Sequence, residues 1–99
     1  MRTINVGVIG TGWCGGIRAN TCASSALVGE LHIAEVNAER LREVQKETNP
    51  TLATNDYHEL ISNDGIDAIM VSTTPETTHY PIAKESLLAG KHVLLERPL

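Results

Sequence analysis

Ile4-Asn5-Val6-Gly7-Val8-Ile9-Gly10-Thr11-Gly12-Trp13-Cys14-Gly15 is the stretch on which the reading of this chain turns. Residues 3–9 are rich in β-branched side chains and stop at a glycine, the pattern of a buried strand. Three glycines follow in the spacing G-x-G-x-x-G. From about Gly15 the residues Ala19, Cys22, Ala23 and Ala26 recur at helical intervals, with Gly29 expected to close that helix. In the order strand, loop, helix, each glycine has a physical task. Gly10 permits the tight turn, Gly12 lets the backbone approach an anion with no Cβ in the way, and Gly15 lets the helix pack close to the strands. The free N–H groups and positive dipole end at the start of the helix favour phosphate. Gly10, Thr11, Gly12, Trp13, Cys14 and Gly15 are therefore the candidate contacts to a dinucleotide pyrophosphate. The competing reading is a glycine-rich turn that holds nothing. Trp13 could cover such a ligand or pack on neighbouring loops, and Cys14 is given no nucleophilic role.

Outward from this loop, apolar and polar segments alternate. Leu31 to Val36 reads as a second strand. Asn37 stands as N-cap of a helix running to about Lys46 with Leu41 and Val44 turned inward, and Asn49-Pro50 breaks it. A short strand is expected near Leu52-Ala53. Asp56 and Glu59 have capping-box spacing for a short helix carrying Leu60 and Ile61. Asn63-Asp64-Gly65 is a turn, and Ile66 to Val71 a buried strand. Thr77 or Thr78 caps a helix whose inner face includes Ile82, Ala83 and Leu87, ending at a left-handed Gly90. Val93 to Leu95 is the last strand. Five strands alternating with four helices imply an α/β fold. It is a doubly wound parallel sheet of Rossmann type, order 3-2-1-4-5, with a ligand crevice where the order reverses between strands 1 and 4.

That crevice selects further residues. Glu35 closes the second strand, 20 residues after Gly15, where a carboxylate accepts hydrogen bonds from an adenosine ribose and repels a 2′-phosphate. NAD is therefore favoured over NADP. A surface glutamate at a strand end is the plainer alternative, and Glu30 and Glu39 lie near enough for a register error. Ser72, Thr73, Thr74, Pro75 and Glu76 form the loop after the fourth strand, at the crevice rim; they could line a cofactor or form an ordinary capped turn. His79 follows early in the next helix and, like His32, His58 and His92, reads first as a packing or capping residue.

Composition narrows the function classes. The chain has 99 residues, one small domain, with 41% hydrophobic and 20% charged residues, which suits a globular protein and not a disordered one. Aromatic residues are 3% with no Phe, so the core must come from Ile, Val, Leu and Ala, and base stacking on aromatic rings is not indicated. The net charge of −4, without a basic cluster, argues against nucleic acid and anionic membranes as partners. No apolar run approaches a bilayer span and no signal peptide is read, so a cytoplasmic location is expected, with Cys14 and Cys22 as reduced thiols. No metal-ligand spacing is present.

Beyond these patterns the chain resembles the glucose-fructose oxidoreductase / inositol dehydrogenase / MocA family. The resemblance rests on Val8-Ile9-Gly10-Thr11-Gly12, Ala34-Glu35-Val36-Asn37-Ala38-Glu39-Arg40, Asn55-Asp56-Tyr57, Ile66-Asp67-Ala68-Ile69, and Thr74-Pro75 with His79. It rests most specifically on Ala89-Gly90-Lys91-His92-Val93 with Glu96-Arg97-Pro98, which is similar to the family's AGKHV…EKP signature. The resemblance implies a dehydrogenase passing hydride between NAD(P) and a sugar, inositol or related polyol or carbonyl compound. It implies that Thr74, Pro75 and His79 lie beside the cofactor and that Glu96 and Arg97 lie near the nicotinamide and substrate. Arg97 stands where the family has lysine. It keeps the positive charge but cannot accept a proton, which leaves three options open: another proton-transfer residue, a purely electrostatic role, or lost activity. The family's substrate domain has no counterpart here, so residues 1–99 read as the dinucleotide-binding domain alone, inactive by itself. Two other readings are carried: a non-catalytic regulatory or redox-sensing dinucleotide-binding module, and a half-domain that self-associates through an open sheet edge.

Overall fold

A computed structural model describes residues 3–11, 13–73 and 79–95, apart from the side chains of 13–18, 79 and 95. The elements are β1 (Ile4–Ile9), α1 (Trp13–Ser24), β2 (Val28–Ala34), α2 (Ala38–Thr48), β3 (Leu52–Thr54), α3 (His58–Ile61), β4 (Ala68–Val71), α4 (His79–Leu88) and β5 (His92–Leu95). All four strand pairings are parallel, and the order is β3-β2-β1-β4-β5, the Rossmann order expected from the sequence.

Strand alternation sorts the core into two layers. Val6 and Val8 of β1 and Leu31 and Ile33 of β2 pack with Ala19 and Cys22 of α1 and Val44 of α2. Ile9 and Ala34 face the other way. With Ile69 and Val71 they meet Leu60 and Ile61 of α3 and Ile82 of α4. Both faces of the sheet are thus covered, and the carboxyl ends of the strands open at one rim.

Helix ends follow local chemistry. The Asn37 side chain accepts the Arg40 N–H at 2.9 Å, and Asn49 closes α2 in the left-handed region at φ 47°. At the end of α4 the Lys91 N–H reaches the Ser86 carbonyl and the Gly90 N–H the Leu87 carbonyl, each at 3.0 Å, a Schellman closure with Gly90 at φ 81°. The Lys91 side chain is itself buried and donates to the carbonyls of Asn63 and Ile66, tying β5 to the turn before β4. Lys91→Met keeps the aliphatic stem and removes both bonds. It is expected to lower unfolding stability by about 2 kcal/mol, the scale of hydrogen bonds from a charged donor. A urea midpoint unchanged from wild type would contradict this.

Several sequence expectations are corrected. The first helix begins at Trp13, before Gly15, and ends at Ser24, so Ala26 lies outside it and is exposed, as is Ala23. Ser24 Oγ bonds back to the carbonyls of Asn20 and Thr21, and Ser25 Oγ accepts the Leu27 N–H, so serine chemistry stops the helix well before Gly29. Gly29 lies inside β2 instead, where the register with β1 shifts between Ile4 and Val6. A Cβ there would sit 2.7 Å from Thr3 Oγ1 and 2.8 Å from Asn5 Oδ1. The second strand starts earlier and ends earlier than expected, leaving Val36 in the following loop and 84% exposed. The fourth strand begins at Ala68, although Ile66 is buried as a core residue. Asp56 does not form a capping box. Its carboxylate takes the His58 N–H, two residues on, at 3.0 Å, as in an Asx turn. Leu87 is 62% exposed, because the inner face of α4 runs through Ile82, Ala83 and Ser86, and Leu87 lies about 100° further round than Ser86. Thr77 and Thr78, the expected caps of α4, lie outside the described residues.

Candidate dinucleotide site

The chain ends of four neighbouring strands are laddered at the open rim. The Gly10 N–H donates to the Ala34 carbonyl at 2.9 Å, Glu35 N–H to Thr54 at 2.9 Å, and Ser72 N–H to Ile9 at 2.8 Å. These bonds carry the pairing one residue past β1, β2 and β4 and deliver three loops to one place. There they line a cleft of about 500 Å³, whose walls include Gly10, Thr11, Glu35, Arg40, Tyr57 and Ser72. The cleft straddles the β1–β4 switch point, where open α/β sheets bind ligands.

Gly10 is demanded twice. Its φ is +88°, and a Cβ built on it would lie 2.8 Å from the carbonyl carbon and oxygen of Ser72 and from the amide nitrogen of Thr73. The first and fourth strand loops therefore touch backbone to backbone. Beside them Ser72 Oγ is buried and has no hydrogen-bond partner among the described residues.

Glu35 occupies the opposite wall. Its Oε1 accepts both the N–H and the hydroxyl of Thr11, each at 2.7 Å, and its Oε2 accepts the Asn37 N–H at 2.9 Å. Partial burial pushes its pKa up, but the Asn37 amide, the two Thr11 donors and the nearby Arg40 charge outweigh that and hold it below the ordinary carboxylate value. The group is thus an ionised carboxylate at the end of β2. Arg40 Nε donates to the Thr11 carbonyl, which places a guanidinium at the same rim.

Sequence reading brought Gly10, Thr11, Glu35, Ser72 and Thr73 into this cleft, and the structure gathers all five there. The Thr11 side chain, however, is wholly buried against Glu35, so it acts on the carboxylate rather than on the cleft. The backbones of Trp13, Cys14 and Gly15 open α1. Gly12, Thr74, Pro75, Glu96 and Arg97, and the side chains of Trp13, Cys14 and His79, lie outside what is described. Sequence reading did not select Asn37, Arg40, Asn55 or Tyr57 as site residues. For Arg40 a signal existed: a cation five residues beyond the acid, in the first turn of the helix that follows it.

Tyr57 extends this wall outward. Its ring stacks on His58 with centroids 4.2 Å apart. His58 Nδ1 lies 2.8 Å from Asp56 Oδ1, and Nε2 lies 3.5 Å from Glu85 Oε2 on α4. The hydrogen bond with Asp56 raises the His58 pKa, aided by the Glu85 charge and opposed by slight desolvation. The α3–α4 bridge is therefore complete below the ordinary histidine pKa and is lost as pH rises through the raised one. Asp56→Asn is expected to move the His58 titration, followed by NMR, to lower pH. A titration that stays in place would show the pairing to be without effect.

Residues 4–99 match the oxidoreductase family with an NAD-binding Rossmann fold, Gfo/Idh/MocA. The chain belongs to this family. A myo-inositol 2-dehydrogenase of Thermotoga maritima is 33% identical over 96 residues, covering 97% of this chain and 28% of that enzyme. Among solved structures, a scyllo-inositol dehydrogenase from Lactobacillus casei with bound NAD(H) and scyllo-inositol superposes with a TM-score of 0.88 at 28% identity. That match covers 98% of this chain and 28% of the other. A 3-ketoreductase from Actinomadura kijaniata in complex with NADP gives 0.84 at 30%, covering 99% and 31%. This Gfo/Idh/MocA chain thus spans less than a third of the length of these relatives. Among its described residues, no helix is long and apolar enough to cross a membrane, and no cluster of three His, Cys, Asp or Glu side chains is gathered to hold a metal.

Proposed function

We propose that this Gfo/Idh/MocA domain holds NAD(H) for a dehydrogenase acting on an inositol, sugar or related polyol or carbonyl substrate. One observation carries the choice of NAD: the ionised Glu35 carboxylate stands at the end of β2, where a 2′-phosphate would have to sit. The residues present fit the cofactor. Gly10 lets the loops after β1 and β4 meet backbone to backbone at the cleft, and the buried Ser72 hydroxyl beside them has no partner among the described residues. Gly10, Gly12 and Gly15 would hold the pyrophosphate, and Glu35 the adenosine ribose. Ser72, Thr73, Thr74, Pro75 and His79 would line the far side. Glu96 and Arg97 would meet the nicotinamide and substrate, with Arg97 placing fixed positive charge near the reacting oxygen. When bound, the nicotinamide supplies the hydride chemistry at the carbinol carbon, and the protein supplies position and electrostatics.

Trp13 is the sole tryptophan and belongs to the glycine loop, so energy transfer from its indole reports on a bound reduced nicotinamide. Saturable quenching of Trp13 by NADH, at lower concentration than by NADPH, is the expected result. Quenching by neither at millimolar levels would overturn the dinucleotide reading. A non-catalytic dinucleotide-binding module is favoured by one observation, arginine at position 97 where the family has lysine. A protein without dehydrogenase activity that gains it on Arg97→Lys would support this reading, and a wild-type protein that is already active would overturn it.

A further inference from the structure

We infer that Thr11 is a positioning residue that decides which oxygen of Glu35 meets the adenosine ribose; the inference rests on the dinucleotide reading above. Thr11 stands between the first two glycines of the loop, and its side chain is wholly buried. All three of its polar groups are engaged by residues that follow β2. The N–H and the hydroxyl both donate to Glu35 Oε1 at 2.7 Å, and the carbonyl accepts from Arg40 Nε. Any residue at this position brings an N–H and a carbonyl. Only serine or threonine brings the hydroxyl.

The hydroxyl changes the acceptor count. Each carboxylate oxygen offers about two acceptor sites. Thr11 fills both on Oε1, and the Asn37 N–H fills one on Oε2. The remaining acceptor site is on Oε2, so the ribose is received through that oxygen, on a carboxylate already fixed in place. A β-branched side chain is stiff at χ1, which keeps the hydroxyl aimed. Without it, Oε1 keeps a single bond and an open acceptor site, so the carboxylate is held less firmly and no longer presents one oxygen alone to the ribose, which lowers affinity. The same residue anchors Arg40, so the acid and the cation at the ribose end are both registered to the glycine loop.

The test is the affinity of the protein for NADH and NADPH in the Thr11→Val and Thr11→Ser variants, with thermal unfolding measured alongside. Thr11→Val is expected to weaken NADH binding about tenfold, the scale of one hydrogen bond to a charged acceptor, while NADPH binding shifts less than twofold. Thr11→Ser is expected to restore both. Thr11→Ala removes the hydroxyl without setting a methyl against the carboxylate, and carries the same expectation if the valine variant does not fold. In a Glu35→Ala background the Thr11 substitution is expected to have no further effect on NADH, because the group it positions is gone. An unchanged NADH-to-NADPH ratio in Thr11→Val, a serine variant that falls as far as valine, or additive losses with Glu35→Ala would each overturn the role. If the wild-type protein binds neither dinucleotide, the reading of the cleft falls first. If it binds NADH and the Thr11 variants bind it equally well, only the role of Thr11 falls.

Discussion

Gly10→Ala is expected to destabilise the protein by about 3 kcal/mol or more and to lower its unfolding midpoint by roughly 15 °C. Two costs add. An L side chain at φ +88° is strained wherever it sits, and here its Cβ would also lie 2.8 Å from the Ser72 carbonyl group and the Thr73 nitrogen. Those are backbone atoms of the loop after β4, pinned by the Ser72 N–H to the Ile9 carbonyl, so they cannot swing aside as a flexible side chain would. Either the β1–α1 loop or the β4–α4 loop must move, and both line the cleft. Gly90→Ala supplies the control. Its φ is +81°, but nothing lies within 4 Å of the added Cβ, so strain acts alone at about 1 kcal/mol. Thermal melts of the two variants separate the terms. If Gly10→Ala melts no lower than Gly90→Ala, the backbone contact between the two loops does not matter. Binding of NADH is expected to be lost in Gly10→Ala even below its melting temperature, and retained in Gly90→Ala.

Glu35→Ala carries the second large effect. Ribose hydroxyls bonded to an ionised carboxylate contribute on the scale of about 1.5–3 kcal/mol, so NADH affinity is expected to fall between about tenfold and a hundredfold. NADPH should move in the opposite direction. The carboxylate that would repel its 2′-phosphate is gone, and the Arg40 guanidinium remains at the rim beside the vacated space. Titration calorimetry with both dinucleotides, with unfolding as a control for lost loop contacts, reads the ratio. A preference for NADH that survives the substitution would remove Glu35 from the ribose site. The pH dependence gives a second reading with a defined sign. Because the Glu35 pKa is depressed, the contribution proposed for it to NADH binding is expected to be full above the ordinary carboxylate range and lost only as pH falls through the lowered value. The substituted protein is expected to lack that acid limb.

What the sequence determined by itself were the features that repeat or stand in rigid local grammar. Buried strands separated by amphipathic segments specify a parallel sheet whichever neighbours they meet, and the glycine loop after the first strand pointed to the Rossmann order 3-2-1-4-5 that is observed. The N-cap at Asn37 and the left-handed Gly90 were legible because capping is decided within a few residues. The glycine loop and Glu35 were legible because a strand, a turn and a carboxylate 20 residues on need no knowledge of what packs against them.

Tertiary structure decided the rest. The place of Gly29 inside β2 turned on a register shift between two strands, visible only once β1 and β2 are paired. Leu87 reads as inward by periodicity, yet α4 settles on its sheet through Ile82, Ala83 and Ser86, because the docking angle of a helix is set by its partner. The pairing of Thr11 with Glu35 joins residues 24 apart, and the approach of Gly10 to Ser72 joins loops more than 60 apart. No local pattern encodes a distance between side chains on different loops. Those distances follow from strands laid 4.7–4.9 Å apart in one order, and the cleft acquires its chemistry only when that order is in place.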